Sequence, residues 1–273
     1  MVAGTEIEMV PGTNLLCGGR VHLHGNEVSR RDRMITVDGK WTMEGLDRSD
    51  TRRIKTVDEL KKHINNVGFL PFFKGGIDGF SLEELTVGDS WWSGDIAEDP
   101  WMWRAVIAEE GDMAYGKLFR GKAGFISREW FPIFAAYRRD GYDFDSRYED
   151  GLVSRRQKKL IDVLNEYDRL PSYELKKLAG FGKEGEKNFD GTISELQMKT
   201  YVIIRSFRRK RNKKNEEYGW AVADYMLSEN LYGAEHVRSA YGMSATEAKD
   251  KIIGHLLKLF PNTNINEAEK LIK

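Results

Sequence analysis

The side chains with the clearest chemical potential in this sequence are seven cations that fall within ten consecutive positions. They are Arg205, Arg208, Arg209, Lys210, Arg211, Lys213 and Lys214. Clustered cations repel one another unless an anion is near, and nucleic-acid phosphates neutralise them while releasing counterions. Arginine also binds phosphate oxygens through two parallel hydrogen bonds. The run therefore predicts a nucleic-acid-binding surface, with a solvated hairpin kept soluble by its charges as the alternative.

The cation run stands out because the rest of the chain is electrically balanced. Lysine and arginine together number 43, and aspartate and glutamate together also number 43. The net charge therefore gives no long-range field that would attract nucleic acid, membrane or acidic substrate. We expect DNA as the partner of a local basic patch, and the sequence leaves RNA open.

Acidic residues gather in segment 140–150, where a calcium site or an acid/base pair is the chemistry to consider. Arg147 stands where the spacing of a calcium-binding loop requires an oxygen ligand, and no glycine occupies the sixth position. Cys17 is the only cysteine, and His22 and His24 lack a third ligand at a useful spacing. The sequence contains no nucleophile elbow, phosphate-binding loop or dinucleotide fingerprint. We therefore expect neither a metal nor a cofactor.

Aromatic side chains are the second unusual group, with 7 Trp, 13 Phe and 11 Tyr. Most large aromatic side chains pack inside proteins. The string GDSWWSGD, however, places Trp91 and Trp92 side by side among polar residues, and adjacent side chains point in different directions. We expect at least one of the two at a surface or cleft, where it can stack on a base.

The elements that hold these groups change along the chain. Residues 1–54 form an N-terminal extension with short strands, such as RMITVDGKWTM around a turn at Asp38-Gly39. The pattern in residues 55–150 predicts an aromatic-rich unit of helix, hairpin and helix. Its boundary signals are Thr56 as an N-cap, Asp99 and Pro100 at a helix start, Arg120-Gly121 between two strands, and Ser127 as a further N-cap.

Residues 151–273 show the most regular pattern. Three amphipathic segments precede a hairpin of β-branched and aromatic residues with a polar turn at 212–215. Helix, helix, helix and hairpin is the order of a winged helix, and a further helix ends at Pro261. We see no internal repeat of fixed period.

Length and composition bound the remaining properties. A chain of 273 residues favours two packed units, and a single cysteine fits a reducing compartment. No stretch approaches the about 18 apolar residues of a membrane span. Residues 1–20 lack a basic start followed by an apolar core. We expect a cytoplasmic protein without a membrane segment, and the sequence does not indicate its oligomeric state.

Four stretches of the chain resemble the AlkZ/YcaQ-like DNA glycosylases. They are GLVSRRQKKLIDVLNEYDRLPSYELKKLAGF, FDGTISELQMKTYVIIRSF, EYGWAVADY and, before these, YGKLFRGKAGFISREWFPIF. The resemblance is one of order and pattern over residues 55–230. It implies an α+β, mainly helical fold of tandem winged-helix units with short β-hairpins, in which residues 55–150 are a degenerate winged helix. Known members excise alkylated bases or unhook interstrand crosslinks.

The resemblance also implies a position for the catalytic groups. The family carries Gln-x-Gln or Gln-x-Asp after a Gly-aliphatic-aliphatic step at the end of an early helix. Here Gly68-Phe69-Leu70 matches that step, and Pro71 and Phe73 occupy the two catalytic positions. Neither side chain can accept a hydrogen bond or hold charge, so the resemblance supplies a scaffold without the mechanism. Phe72 and Phe73 can still form an apolar wall that stacks on an extruded base.

Three hypotheses remain open at this stage. The first is a winged-helix DNA-binding protein related to the glycosylases, with doubtful catalytic activity. The second is an active DNA glycosylase that uses a different constellation, for which Asp99, Glu129 and Gln197 are the candidates. The third is a protein-interaction module whose basic hairpin binds an acidic partner.

Overall fold

The computed structural model describes residues 34–37 and 40–273. Its first elements are two antiparallel strands, β1 (Met34–Val37) and β2 (Lys40–Met43), which confirm the strands predicted in this part of the extension. The predicted turn at Asp38-Gly39 and the residues before Met34, including Cys17, His22 and His24, lie outside the described residues.

The first half of the chain then forms helices around a short three-stranded segment. Its elements are α1 (Val57–Val67), β3 (Phe69–Pro71), 3-10 turns at Glu83–Leu85 and Gly88–Ser90, α2 (Pro100–Glu110), β4 (Met113–Phe119), β5 (Lys122–Ser127), α3 (Phe131–Arg139) and α4 (Phe144–Glu149). The predicted caps of α1 and α2 are confirmed. Thr56 accepts a hydrogen bond from the Glu59 amide, and Asp99 accepts one from the Trp101 amide.

The second half confirms the predicted order of three helices and a hairpin, with one extra short strand. Its elements are α5 (Arg155–Glu166), β6 (Arg169–Pro171), α6 (Ser172–Leu178), α7 (Phe189–Met198), β7 (Val202–Arg211), β8 (Glu217–Leu227), α8 (Ser228–Tyr232), α9 (Ala234–Arg238), α10 (Ala245–Leu259) and α11 (Ile265–Ile272). Capping boxes at Ser154 and Ser244 fix the starts of α5 and α10, because each serine and the residue three positions later satisfy each other's backbone amides.

Six strands form one antiparallel sheet in the order β3-β5-β4-β7-β8-β6. The buried apolar side chains form one cluster that draws on both halves of the chain, from Met43 to Ile272. The described part is therefore a mixed α/β protein with a six-stranded sheet besides the two-stranded sheet of β1 and β2. The junction between the halves is narrow, since β4 and β7 are in register at the pair Tyr115 and Ile204. Whether a domain boundary lies near residue 150 stays a prediction.

The two halves have closely similar element orders, although the sequence itself shows no repeat of fixed period. Each runs from a helix to a short strand and then to a hairpin, with one helix before the hairpin in the first half and two in the second. Each short strand ends in Leu-Pro, at Pro71 and at Pro171. Pro71 is in register with Gly124 and Pro171 with Asp224, so both pairings are offset by 100 positions. The sheet order is accordingly symmetric about the β4 and β7 junction. Both prolines lie on edge strands, where a missing amide donor is tolerated.

Two predicted helix boundaries were wrong by a few residues. The string VDELKKHINNVGFL that follows Thr56 predicts a helix through Leu70, but α1 ends at Val67, because Gly68 has a φ of 82° and turns the chain into β3. The helix predicted to start after Ser127 begins at Phe131. Ser127 instead remains in β5, where its amide donates to the Gly68 carbonyl at 2.8 Å.

Candidate nucleic-acid interface

The hairpin of β7 and β8 extends beyond the rest of the sheet. β4 reaches β7 at Ile204, and β6 reaches β8 only from Asp224 to Met226. From Arg208 to Val222 the two strands pair with each other. Residues 211–220 are all exposed. We call this projecting part, residues 208–222, the basic hairpin.

Two of the seven predicted cations are held by other groups of the protein. Arg205 donates to the Ala108 carbonyl at 2.6 Å and to the Glu109 carbonyl, at the C-terminal end of α2. A cation at this end of a helix stabilises the unpaired carbonyls and the helix dipole. Arg208 forms an ion pair with Asp224, whose carboxylate is 1% exposed and also accepts from the Ser206 hydroxyl at 2.8 Å. These two arginines therefore support the base of the hairpin.

The other five cations lie toward the tip. Arg211 donates to the Asn215 side chain at 3.1 Å and to the Glu217 carboxylate at 3.3 Å, and both contacts are on the surface. Lys210 places its Nζ 5.3 Å from the centre of the Tyr173 ring. The side chains of the remaining three, Arg209, Lys213 and Lys214, have no hydrogen-bond or ion-pair partner within the described part of the chain. The hairpin thus offers charge to an external anion mainly from these three side chains.

Trp220 is the residue of this surface that the sequence analysis missed. Its side chain is 78% exposed, and Tyr218 is 51% exposed. Lys210 is in register with Tyr218 and Arg208 with Val222, so three residues of β8 lie opposite Arg209 and form a bulge. Gly219, with a φ of 72°, makes this bulge possible and turns Trp220 outward. A glycine beside a tryptophan in a strand pattern is the signal that could have identified it.

The predicted stacking aromatics form a cluster behind β3. Phe72 and Trp91 are buried, with ring centres 5.2 Å apart, and the Trp91 indole donates to the Thr86 hydroxyl at 3.0 Å. Neither ring has a face open to an external base. Phe73 and Trp92 are half-buried, and Phe73 stacks on Trp91 at 6.0 Å. Of the four predicted residues, Phe73 and Trp92 keep an accessible part.

This aromatic cluster continues to the base of the hairpin through Arg104. Its guanidinium lies 3.6 Å from the ring centre of Trp101 and 4.5 Å from that of Phe207, which is on β7. Burial lowers the pKa of the Arg104 guanidinium. Burial also raises the pKa of its neighbour Tyr115 to about 12, so the phenol is neutral and serves as a packing and hydrogen-bonding group.

The three candidate catalytic residues lie on separate elements. Asp99 is 1% exposed, and its oxygens accept from the backbone amides of Trp92, Gly94 and Trp101 at 2.8–3.1 Å. Gln197 is fully buried, accepts from the Lys117 amide at 2.9 Å and donates to the Ile193 carbonyl at 3.2 Å. Glu129 is exposed between β5 and α3. Asp99 and Gln197 thus use their polar atoms to hold the fold.

Pro71 and Phe73, the positions that the family resemblance assigned to catalysis, lie at the edge of the sheet, where the backbone forms several hydrogen bonds. The Pro71 and Phe72 carbonyls accept from the amides of Leu82 and Glu83 at 3.0 and 3.1 Å, and the Phe72 amide donates to the Ala123 carbonyl at 2.9 Å. No side chain at positions 71 to 73 carries a polar atom. None of the helices in the described residues is long and apolar enough to cross a membrane.

Comparison with known proteins gives one family and one solved structure. Residues 54–273 match the family described as AlkZ related. The Streptomyces sahachiroi DNA glycosylase AlkZ is similar in structure, with 11% sequence identity and a TM-score of 0.42. The similarity covers 76% of this chain and 52% of that one, so this chain spans about half the length of that protein. No curated protein sequence matches the chain.

Proposed function

The chain belongs to the AlkZ-related family, and we propose that it is a DNA-binding member of that family that lacks the family's own catalytic pair. In this proposal the protein contributes to DNA repair by binding DNA through the basic hairpin. The observation that carries the proposal is a projecting hairpin that presents unpaired cations and a tryptophan with 78% exposure.

The element order supports this proposal, because the second half follows the winged-helix order and the first half differs from it by one helix. In the second half α5, β6, α6, α7, β7 and β8 follow one another, and in the first half α1, β3, α2, β4 and β5 do so. The 3-10 turns of the first half occupy the place of the middle helix, which fits a degenerate unit. We therefore propose tandem winged-helix units, with the basic hairpin as the wing of the second.

The hairpin would bind DNA through two kinds of contact. Arg209, Lys213 and Lys214 would contact phosphates, which position a protein on DNA without reading its sequence. Trp220 has an apolar ring on a strand bulge beside these cations, and such a ring can stack on a base or enter between bases. An exposed tryptophan has an unfavourable contact with water unless a partner covers it.

Binding can be measured by fluorescence anisotropy with a labelled DNA duplex over a range of salt. The variant Arg209→Ala/Lys213→Ala/Lys214→Ala should weaken binding by a similar factor for different sequences, and the salt slope should fall by about one for each phosphate that the variant no longer neutralises. The control Lys62→Ala/Lys251→Ala/Lys258→Ala removes the same charge from exposed positions on α1 and α10 and should leave affinity nearly unchanged.

The tryptophan needs its own measurement. Trp220→Ala should weaken binding by the loss of one stacked base, about 1–3 kcal/mol, while leaving the salt slope as it was. Equal affinity of the charge variant and the wild-type protein at low salt would overturn the proposal. If the protein binds duplex RNA more tightly than DNA, RNA would be its partner. If it binds an acidic protein and random DNA does not displace that protein, the hairpin would belong to an interaction module.

Base excision by the family's pair is not expected from this chain. Positions 71 and 73 offer no group that can orient water or stabilise a sugar cation, and general acid/base assistance is commonly worth about 10²–10⁴-fold. The purified protein should release no alkylated base from duplex DNA. Base release that Glu129→Gln abolishes, with the fold intact, would instead support a glycosylase with a different catalytic group.

A further inference from the structure

A small cavity lies beside Pro71 and Phe73, at the position where the family resemblance places catalysis. Its apolar walls also include Phe119 and Leu271, so β3, the β4–β5 turn and α11 all contribute. Its polar lining consists of Lys74, Arg120, Lys122, Lys270 and Glu267. Four cations and one carboxylate give the cavity an excess of positive charge in a protein whose net charge is zero.

Two of the four cations in this cavity, Lys74 and Lys270, are paired within the protein. Lys270 pairs with Glu267 at 2.7 Å, and Lys74 is 4.0 Å from Glu84. The side chains of Arg120, which has a φ of 51°, and of Lys122 have no hydrogen-bond or ion-pair partner in the described residues. Cations that converge on one cavity favour an anion that each can contact, and arginine can bind its oxygens in pairs.

The size of the cavity restricts what that anion can be. Its volume is about 40 Å³. One water needs about 10–15 Å³ of such volume, so there is room for about three oxygen-sized atoms. A phosphate group can place that many oxygens inside, while a nucleobase cannot enter. The residues at the family's catalytic positions thus close a cavity that is too small for an extruded base.

The cavity is far from the basic hairpin. β4 and β7 are antiparallel and meet at Tyr115 and Ile204, so the turn at Arg120 and the hairpin at Arg211 lie at opposite ends of the sheet. At about 3.3 Å per residue, the two positions are about 40 Å apart along the strands. A ligand in the cavity is therefore not part of the contact proposed for the hairpin.

We propose that this cavity is a binding site for a phosphate group, held by Arg120, Lys122, Lys270 and Lys74. The phosphate belongs either to a free phosphate or nucleotide or to a nucleic-acid strand, since both present the same oxygens. The site is independent of the proposed function of the hairpin. In both cases the group attached to the phosphate stays outside the cavity.

The first experiment measures the ³¹P line width of inorganic phosphate as the full-length protein is added at constant ionic strength. The wild-type protein should broaden the line. Arg120→Gln/Lys270→Gln should raise the dissociation constant at least about tenfold, because each lost charge-assisted hydrogen bond is worth about one decade. Lys62→Gln/Lys251→Gln is the charge-matched control, and the thermal midpoint without phosphate confirms that both variants fold.

The second experiment identifies the source of the phosphate by comparing the affinities of oligonucleotides that carry a 5′-phosphate or a 5′-hydroxyl. A preference for the 5′-phosphate that Arg120→Gln/Lys270→Gln removes would support a terminal monoester, and an equal loss for both oligonucleotides would support a backbone phosphate. If Arg120→Gln/Lys270→Gln loses binding of inorganic phosphate but binds both oligonucleotides as the wild-type protein does, the ligand would be a free phosphate or nucleotide. The proposal is overturned if the wild-type protein broadens the phosphate line no more than the cavity variant does. If Arg209→Ala/Lys213→Ala/Lys214→Ala still binds inorganic phosphate, the cavity and the basic hairpin are separate sites.

Discussion

The Arg139 guanidinium and the Glu229 carboxylate form an ion pair that joins the end of α3 to the beginning of α8. Arg139 is fully buried, and it also donates to the Thr200 hydroxyl and carbonyl at 3.1 and 2.7 Å and to the Ser228 hydroxyl at 2.9 Å. The contact links residues before position 150 to residues after it.

Loss of the Arg139 side chain should be costly. Arg139→Met is expected to lower the free energy of unfolding by about 3–5 kcal/mol, because Glu229 and the Thr200 carbonyl lose a buried cation. Denaturant unfolding followed by circular dichroism measures this change. Arg155→Met, at an exposed position of α5, is the control and should change stability by less than about 0.5 kcal/mol. A loss below about 1 kcal/mol for Arg139→Met would mean that the ion pair adds little to the fold.

Two glycines should respond to alanine with opposite signs. A Cβ at Gly68 would lie 2.6 Å from the Trp130 ring, and its φ is 82°, so Gly68→Ala should destabilise the protein by about 1–3 kcal/mol. Gly254 lies within α10, and an added Cβ there meets no atom within 4 Å. Gly254→Ala should therefore stabilise by about 0.5–1 kcal/mol. Thermal midpoints of the two variants check both signs, and a neutral Gly68→Ala would show that Trp130 can move aside.

Arg205 and Arg209 should separate stability from binding. Arg205→Ala removes the donor to the carbonyls at the end of α2 and should lower stability by about 1–2 kcal/mol with little effect on DNA affinity of the folded protein. Arg209→Ala should do the reverse, weakening DNA binding with stability unchanged. Unfolding and anisotropy measurements on the same preparations test this contrast. A similar loss of affinity for both variants would place Arg205 in the interface.

His63 should make the protein less stable in mild acid. Burial lowers the pKa of His63 in the folded protein below its usual value of 6.5. The unfolded chain therefore takes up the proton first as pH falls, and stability decreases between about pH 7 and pH 5. His63→Gln should have a smaller slope of unfolding free energy against pH in this range. Because the cause is burial, added salt should not restore the difference, whereas a slope that salt removes would indicate charge repulsion.

The sequence predicted the elements well where local signals agree. Thr56 and Asp99 each combine a capping side chain with a following helical pattern, and each begins a helix. The hairpins around Arg120-Gly121 and 212–215 were also predicted correctly. These features depend on residues close in sequence. The family resemblance implied tandem units, but the sequence itself shows no repeat, because the clearest trace of one is the pair of three-residue strands that end at Pro71 and Pro171.

The candidate site was harder to predict because it depends on contacts between distant residues. Arg205 and Arg209 belong to one basic run, yet only the first meets the end of α2, some 96 positions away. Gln197 has the chemistry of a catalytic amide, but its carboxamide is used by Lys117 and Ile193. Trp220 has the pattern of a strand residue, and only the bulge at Gly219 exposes it. Residue types in the sequence therefore indicate which groups could bind or react. Tertiary contacts determine which of those groups remain free to contact a ligand.

The register between Tyr115 and Ile204 has a consequence for how the chain is made. The two residues are 89 positions apart, so at about 5–20 residues per second the ribosome needs about 4–18 s to supply the partner of β4. During that time β3, β5 and β4 can pair, but the outer edge of β4 has no neighbour. An unpaired edge of this kind can join a second nascent chain or be covered by a chaperone. The nascent protein is therefore most exposed to misassembly while residues 116–204 are being translated.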